Sequence, residues 1–229
     1  MNIAIIPARG GSKRVKNKNL KNFFGKPLIS YSIEAAKKTK LFKKIIVSTD
    51  SIKIKKISQL LGAEVFLLRP KNLSDDKTIA QNVIKYEIKN LLKRNVNFKY
   101  VCCIYPTAPL IQSNDIKRGF KKIKNKWKFI FSACKHEKSI LRSFTQKKLN
   151  KQIKFLNSKL INKNSQNLEP TFFDAGQFYW ASKKNWLDSK LYFKKGSIVE
   201  VDSKFVQDLD YLQDFKILKE KFKILKKKR

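Results

Sequence analysis

At 229 residues with 42% hydrophobic side chains, the chain suits one α/β domain with a small insertion, and this excludes intrinsic disorder. No stretch reaches the roughly 18 uncharged apolar residues of a membrane helix, and the apolar run within residues 1–7 is too short, without a basic flank, for a signal peptide; a cytoplasmic protein with no membrane partner is expected. The formal net charge of +36 points toward nucleic acid, yet only seven of the 53 basic residues are Arg and the Lys are scattered along the whole length, so no specific nucleic-acid partner is expected.

Ile3-Ala4-Ile5-Ile6, closed by Pro7 and followed by Gly10-Gly11, reads as a buried first strand entering a tight loop. Residues 27–39 set Leu28, Ile29, Ile33, Ala35 and Ala36 on one helical face. A buried strand at 44–50, a helix at 52–61 stopped by Gly62, and a third short strand Ala63-Glu64-Val65-Phe66 follow. A helix at 78–93, a strand at 100–104 broken by Pro106 and Pro109, a helix at 115–123 and a strand at 129–133 continue the alternation.

Residues 135–169 interrupt it with a polar, Lys- and Asn-rich stretch that reads as an arm inserted within a single domain spanning 1–229. A strand at 171–182, a helix near Asn185, a strand at 199–202 and an amphipathic helix over 210–228 complete the chain. Strands alternating with helices predict a doubly wound, mostly parallel α/β sheet with ligands at the carboxyl ends of its strands. Cys102 and Cys103, adjacent in a strand, are expected on opposite faces of the sheet and, with Cys134, to be small core residues of a reducing compartment.

The strongest local signal is Ala8-Arg9-Gly10-Gly11-Ser12-Lys13-Arg14, continued by Lys18-Asn19. Two glycines after a first strand let backbone N–H groups turn toward a phosphate chain. Arg9, Lys13, Arg14 and Lys18 bring the positive charge that a pyrophosphate leaving group requires. The spacing is neither Gly-x-x-x-x-Gly-Lys-Ser/Thr nor Gly-x-Gly-x-x-Gly. Asp208 and Asp210, two apart in an extended segment or turn, put two carboxylates on one side near the start of the final helix, where an N-cap is one reading of them. Asp214, inside that helix, reads as structural. Asp174 and Gln177 are polar within the aromatic run 172–180, so their burial needs a reason. His136, the single histidine, sits in a charged loop and is a poor candidate for a general base.

The run 8–13 with Lys18-Asn19 and Gly25-Lys26-Pro27-Leu28 resembles the opening of the acylneuraminate cytidylyltransferase family. The resemblance continues in order through Val47-Ser48-Thr49-Asp50, Arg69-Pro70, Leu73-Ser74-Asp75-Asp76-Lys77-Thr78, Tyr105-Pro106-Thr107-Ala108-Pro109-Leu110, Asp174-Ala175-Gly176-Gln177-Phe178-Tyr179-Trp180 and Gln207-Asp208-Leu209-Asp210. The blocks at 105–109 and 174–180 are most similar to the branch that acts on pseudaminic acid. The sialic acid branch carries Gln where Tyr105 stands and Asn-Gly where Ala175-Gly176 stands.

The resemblance implies a nucleotide-diphospho-sugar transferase-like fold, CTP and an acidic nine-carbon sugar as substrates, Mg²⁺ as cofactor, and a homodimer joined through the arm at 135–169. Within that resemblance Arg9, Gly10, Ser12, Lys18 and Asn19 bind the nucleotide, with the backbone around Ala8 reading cytosine. Asp208 and Asp210 bind the metal and, with Arg9 and Lys18, carry catalysis, while Tyr105, Gln166, Asp174, Gln177 and Tyr179 line the sugar site. Arg142, on the arm, is a candidate for the sugar carboxylate or a plain solvated charge. One segment departs from the branch: Asn164-Ser165-Gln166-Asn167-Leu168-Glu169 has Asn in place of its usual Arg and its usual Asp. The rival readings are a sialic or legionaminic acid cytidylyltransferase, a basic nucleic-acid-binding protein, and an inactive protein that keeps the fold.

Overall fold

Side chains alternate across a strand, so a strand buried on both faces must feed two cores. The first strand does this in the computed structural model, which describes residues 1–148, 150–188 and 195–227. In chain order, the first half contains β1 (Asn2–Pro7), β2 (Asn22–Phe23), β3 (Lys26–Pro27), α1 (Leu28–Thr39), β4 (Lys44–Ser48), α2 (Ile52–Leu60), α3 (Ala80–Lys93), β5 (Tyr100–Ile104) and α4 (Ser113–Asn125). The second half contains β6 (Phe129–Lys135), β7 (Phe144–Thr145), β8 (Lys154–Phe155), β9 (Phe172–Ser182), α5 (Lys183–Leu187), β10 (Gly196–Glu200) and α6 (Leu212–Lys227).

Ala4 and Ile6 point into a core shared with Ile29 and Ile33 of α1, Ile54 of α2 and Ile116 of α4. Ile3 and Ile5 point the other way, toward Ile84, Ile88 and Leu91 of α3 and Trp186 of α5. Cys102 and Cys103 divide between the same two cores, and all three cysteines are free and buried. A third cluster seats α6, through Phe215, Leu218, Phe222 and Leu225, against Phe23, Leu28 and Leu110. No helix among the described residues is long and apolar enough to cross a membrane.

The main sheet runs β10-β6-β9-β5-β1-β4, with β1 parallel to both neighbours and β10 parallel to β6. Only β9 runs against its neighbours, β5 and β6. The strand expected at Ala63-Phe66 is a correction: Glu64 alone bridges to Ile46. The Arg69 N–H donates to Thr49 O (2.7 Å), which turns the chain across the carboxyl end of β4 instead of along its edge. The final helix begins at Leu212, and its expected end at Lys228 lies outside the described residues. Residues 135–169, of which Leu149 lies outside the described residues, leave the sheet from β6 and return to β9 beside it. The β7–β8 pairing and the contact of the Phe144 and Phe155 rings (centroids 5.6 Å apart) lie within this arm.

The pairing of β6 with β9 is broken by a wide bulge: Phe131 stands opposite Tyr179, and the next paired residue, Ala133, stands opposite Asp174. The extra length of β9 would leave backbone donors unpaired inside the sheet. Ser132, fully buried between them, accepts hydrogen bonds from both Gln177 N and Phe178 N (3.3 Å each) through its hydroxyl. Ser132→Ala would strand both donors in a dry site. The expected cost is about 1–3 kcal/mol in unfolding free energy, read from a urea titration.

Candidate active site

The loop leaving β1 is pinned from both sides. The buried Ala8 donates its N–H to Ser48 O (2.8 Å), and the Gly10 N–H donates to Asp50 Oδ1 (2.7 Å). A Cβ on Gly10 would sit 3.0 Å from Ser51 Cβ, so the loop packs tightly against the residue that caps α2. Asn19 reaches back with Nδ2 to Arg9 O (2.8 Å). The pinned loop turns Arg9, Ser12, Lys13, Arg14, Lys18 and Asn19 toward one cavity of about 460 Å³, which Tyr105 also lines. Ala8 does not line that cavity, and Gly10 lines a smaller one on the other side of the loop.

Two carboxylates meet the loop's cations. Asp76 pairs with Arg9 (2.6 Å) and Lys13 (2.6 Å), while Asp210 pairs with Arg14 (2.9 Å) and lies 3.9 Å from Lys18. The Lys18 ammonium also donates to Leu209 O (2.5 Å). Burial lowers its pKa, against the attraction of Asp210, and the positive charges of Arg14 and Arg9 add to the lowering.

A second cavity, of about 210 Å³, shares Lys18, Tyr105 and Thr107 with the first and adds Gly176, Gln177, Asp208 and Asp210. The bulge in β9 faces this junction. Tyr105 is held there by its backbone: its N–H donates to Gln177 O (2.9 Å), and its carbonyl accepts from Ser32 Oγ of α1 (2.7 Å). Gln177 itself is buried and donates Nε2 to Phe205 O (2.7 Å), so its desolvated amide has a partner. Gly176 has φ +60°, and a Cβ on it would meet Asp208 Oδ1 at 3.1 Å. Both the backbone conformation and the neighbouring carboxylate therefore call for glycine.

Asp174 accepts from Gly176 N (2.9 Å) and from the Tyr179 hydroxyl (2.7 Å). Tyr179 is buried with its ring stacked on Phe131, and burial, Tyr105 and Asp174 all push its phenol far above the usual range. The Tyr105 and Tyr179 ring centroids are 5.2 Å apart.

The acids at 208–214 divide by role. Asp214 Oδ2 accepts from Asp210 N (2.8 Å) and Tyr211 N (2.7 Å), so it caps the start of α6. Asp208 and Asp210 are thereby free of capping and face the cavity. The Asp208 carboxyl is raised by the protein packed around it, then by Asp210 and Asp174, and no Lys or Arg pairs with it among the described residues.

A third space, of about 230 Å³, lies between Arg9, Arg69, Asp75, Asp76, Thr78 and Tyr105. Arg69 is buried; burial lowers its guanidinium pKa against the opposing pull of Asp50 and Glu87. Tyr105 thus stands at the meeting of three spaces. Sequence reasoning left Arg69, Asp76, Thr107 and Ser132 out of the site. The available signals were an Arg in a Lys-rich chain, paired acids in a basic one, and a lone hydroxyl in the apolar run 129–134. Gln166 is elsewhere: it lines an arm cavity of about 1030 Å³ with His136, Arg142 and Glu169, which shares no lining residue with the other three spaces.

A cytidylyltransferase family model matches residues 3–229. The chain belongs to the cytidylyltransferase family. It is 39% identical over 225 residues to a pseudaminic acid cytidylyltransferase of Campylobacter jejuni, covering 97% of each chain. An N-acylneuraminate cytidylyltransferase of Escherichia coli is 31% identical over 94% of this chain and 50% of its own length. The fold matches a CMP:2-keto-3-deoxy-manno-octonic acid synthetase complexed with CTP at a TM-score of 0.70 and 14% identity, over 99% of both chains. Membership of this cytidylyltransferase family places the mixed, mostly parallel sheet among nucleotidyltransferases of the nucleotide-diphospho-sugar transferase fold.

The raised carboxyl of Asp208 gives a stability test. A group whose folded pKa lies above its unfolded value favours the fold below the unfolded pKa, and that support is lost as pH rises through the folded pKa. Asp208→Asn is therefore expected to raise the melting temperature slightly at pH 7, with the difference vanishing toward pH 3. A thermal scan of both proteins across that range reads it.

Proposed function

We propose that this protein transfers CMP from CTP to the anomeric hydroxyl of a nine-carbon acidic sugar, releasing pyrophosphate, with pseudaminic acid as the preferred sugar. One observation carries the reading. The cationic cavity of the first loop and the carboxylate-bearing cavity share Lys18, Tyr105 and Thr107 as lining residues, so a nucleotide's phosphates and a second substrate have adjoining places. The 39% identity to a pseudaminic acid cytidylyltransferase over nearly the whole chain supports the substrates.

In this reading Arg9, Lys13, Arg14 and Lys18 neutralise the charge that develops on the departing pyrophosphate, and Ser12 and Asn19 orient the phosphates beside them. Asp174 and Tyr179 act as a hydrogen-bonded pair behind the sugar subsite, and Gln177 stiffens its floor. The residues fit a divalent cation. Asp208 carries a carboxyl raised by burial and by other acids, against the weaker pull of Lys18, and pairs with no Lys or Arg among the described residues. Among the described residues no cluster of three or more His, Cys, Asp or Glu is placed to hold a metal unaided. A pair of carboxylates sharing the ion with substrate phosphate oxygens is the habit of Mg²⁺. Asp208 and Asp210 would hold it, and it would supply charge neutralisation at the phosphates. A cytoplasmic enzyme follows from the CTP it uses.

Gln166 and Arg142 lie in the arm cavity, away from Tyr105, and Ile140, Phe144, Ile153, Leu156 and Phe173 in and beside the arm are exposed. A second copy docking through these apolar side chains would bury them and bring the arm's polar groups to a neighbouring site. Sedimentation should give the mass of a dimer at working concentrations; a monomer with full activity removes Gln166 from the sugar site.

Sugar choice rests on Tyr105, whose ring offers apolar area to a deoxygenated C9 methyl and crowds a hydroxylated tail. Sites of this kind discriminate against an added hydroxyl by on the order of 10²-fold. With CTP, Mg²⁺ and a panel of nonulosonic acids, pyrophosphate release is expected to be fastest with pseudaminic acid, and Tyr105→Gln should narrow its lead over N-acetylneuraminic acid. Equal turnover of the two by the wild type would refute the sugar assignment and leave the use of CTP standing.

A further inference from the structure

The two carboxylates that hold the loop's cations are not equivalent. Asp210 lies beside Asp208 in the cavity that faces the second substrate. Asp76 comes from a separate turn and lines both the cationic cavity and the space beside Arg69. Its two oxygens are divided between two partners, Oδ1 on Arg9 Nη1 and Oδ2 on Lys13 Nζ, each at 2.6 Å. That is the arrangement a phosphate oxygen pair would adopt on the same side chains.

The turn that presents Asp76 is braced without it. Asp75 Oδ1 accepts from Lys77 N (3.1 Å), Thr78 N (2.7 Å) and Thr78 Oγ1 (2.6 Å). Ser74 Oγ donates to Pro70 O (3.0 Å) and accepts from the Nε of the buried Arg69 (3.1 Å). Asp76 itself is 40% exposed and takes no part in that bracing. The Asp76 carboxyl is held below the usual carboxylate range by Lys13 and Arg9, in keeping with a charge that stays on the cavity wall.

We propose that Asp76 is an affinity-setting residue of the phosphate site, an internal anion that occupies Arg9 and Lys13 until a polyphosphate displaces it and that takes them back as pyrophosphate leaves. The inference rests on reading the first loop as the CTP phosphate site. A competing carboxylate weakens substrate and product alike, and exposed pairs of this kind change an equilibrium constant by only a few-fold. The sign separates this role from a structural one. If Asp76 served to fasten the loop, its loss would loosen Arg9 and Lys13 and weaken anion binding.

The experiment is Asp76→Asn, nearly isosteric and on an exposed turn, with dissociation constants for CTP and for pyrophosphate measured by titration calorimetry at fixed ionic strength. Both constants are expected to fall by about 2- to 5-fold. In a Lys13→Met background the gain should shrink, because one of the two cations that Asp76 occupies is already gone. Unchanged or weaker binding of CTP and pyrophosphate by Asp76→Asn, or a gain of undiminished size in the Lys13→Met background, overturns the proposal. If the wild type binds neither ligand, the reading of the loop as a phosphate site falls with it.

Discussion

The site depends on one strand running the wrong way. In a parallel sheet the carboxyl ends of the strands share one edge, and the amino ends lie on the other. Because β9 runs against β5 and β6, its beginning lies at the edge where β1 and β5 finish. Gly176 and Gln177 therefore share a cavity with Lys18 of the loop after β1, although more than 150 residues separate them in the chain. The β5–β9 ladder then runs one pair further, where Gln177 O accepts the Tyr105 N–H just past the end of β5, while the bulge on the β6 side is closed by Ser132. Without the reversed strand, the residues between 166 and 180 would open onto the opposite edge of the sheet.

Charge at that edge is arranged more tightly than the overall composition suggests. A surplus of Lys over the whole surface confers solubility and non-specific attraction, and says little about any one place. Inside the cleft the picture inverts: Arg9, Lys13, Arg14 and Lys18 each lie within 3.9 Å of an acid, drawn from among few acids in the chain. Asp208 stands apart from this pairing. Burial first, and then its acidic neighbours, raise its carboxyl, the kind of perturbation that clusters at functional sites.

Much of the fold was legible because continuous apolar runs and glycine punctuation report strands and turns directly. The opposed burial of Cys102 and Cys103 followed from the period of a strand alone. Ala63-Phe66 misled because four apolar-rich residues after a glycine look the same whether or not the chain then crosses the neighbouring strand's end. Of the candidate site, the first loop was legible in its residues, and the Asp208–Asp210 pair, singled out through the family resemblance, lines the cavity beside Lys18. What spacing could not decide was which acid caps α6; the hydrogen bonds of Asp214 decide it. The placement of Gln166 in a separate arm cavity was also hidden, since motif order carries no information about where an inserted arm carries its residues relative to the cleft. Asp76 escaped notice because its two cationic partners lie more than 60 residues earlier in the chain.

The arm leaves and rejoins the sheet at a single pair of facing residues. Lys135 of β6 is paired with Phe172 of β9, and just beyond it the His136 N–H donates to Thr171 O (2.8 Å). The ends of the insertion are thus clasped by the sheet itself, whatever lies between them. Closing a loop on such a clasp costs entropy only as the logarithm of its length, about 0.6 kcal/mol for each doubling. Evolution can therefore lengthen, shorten or rewrite the arm while the catalytic edge keeps its geometry, which makes the arm the part of this molecule where new partners are most cheaply acquired.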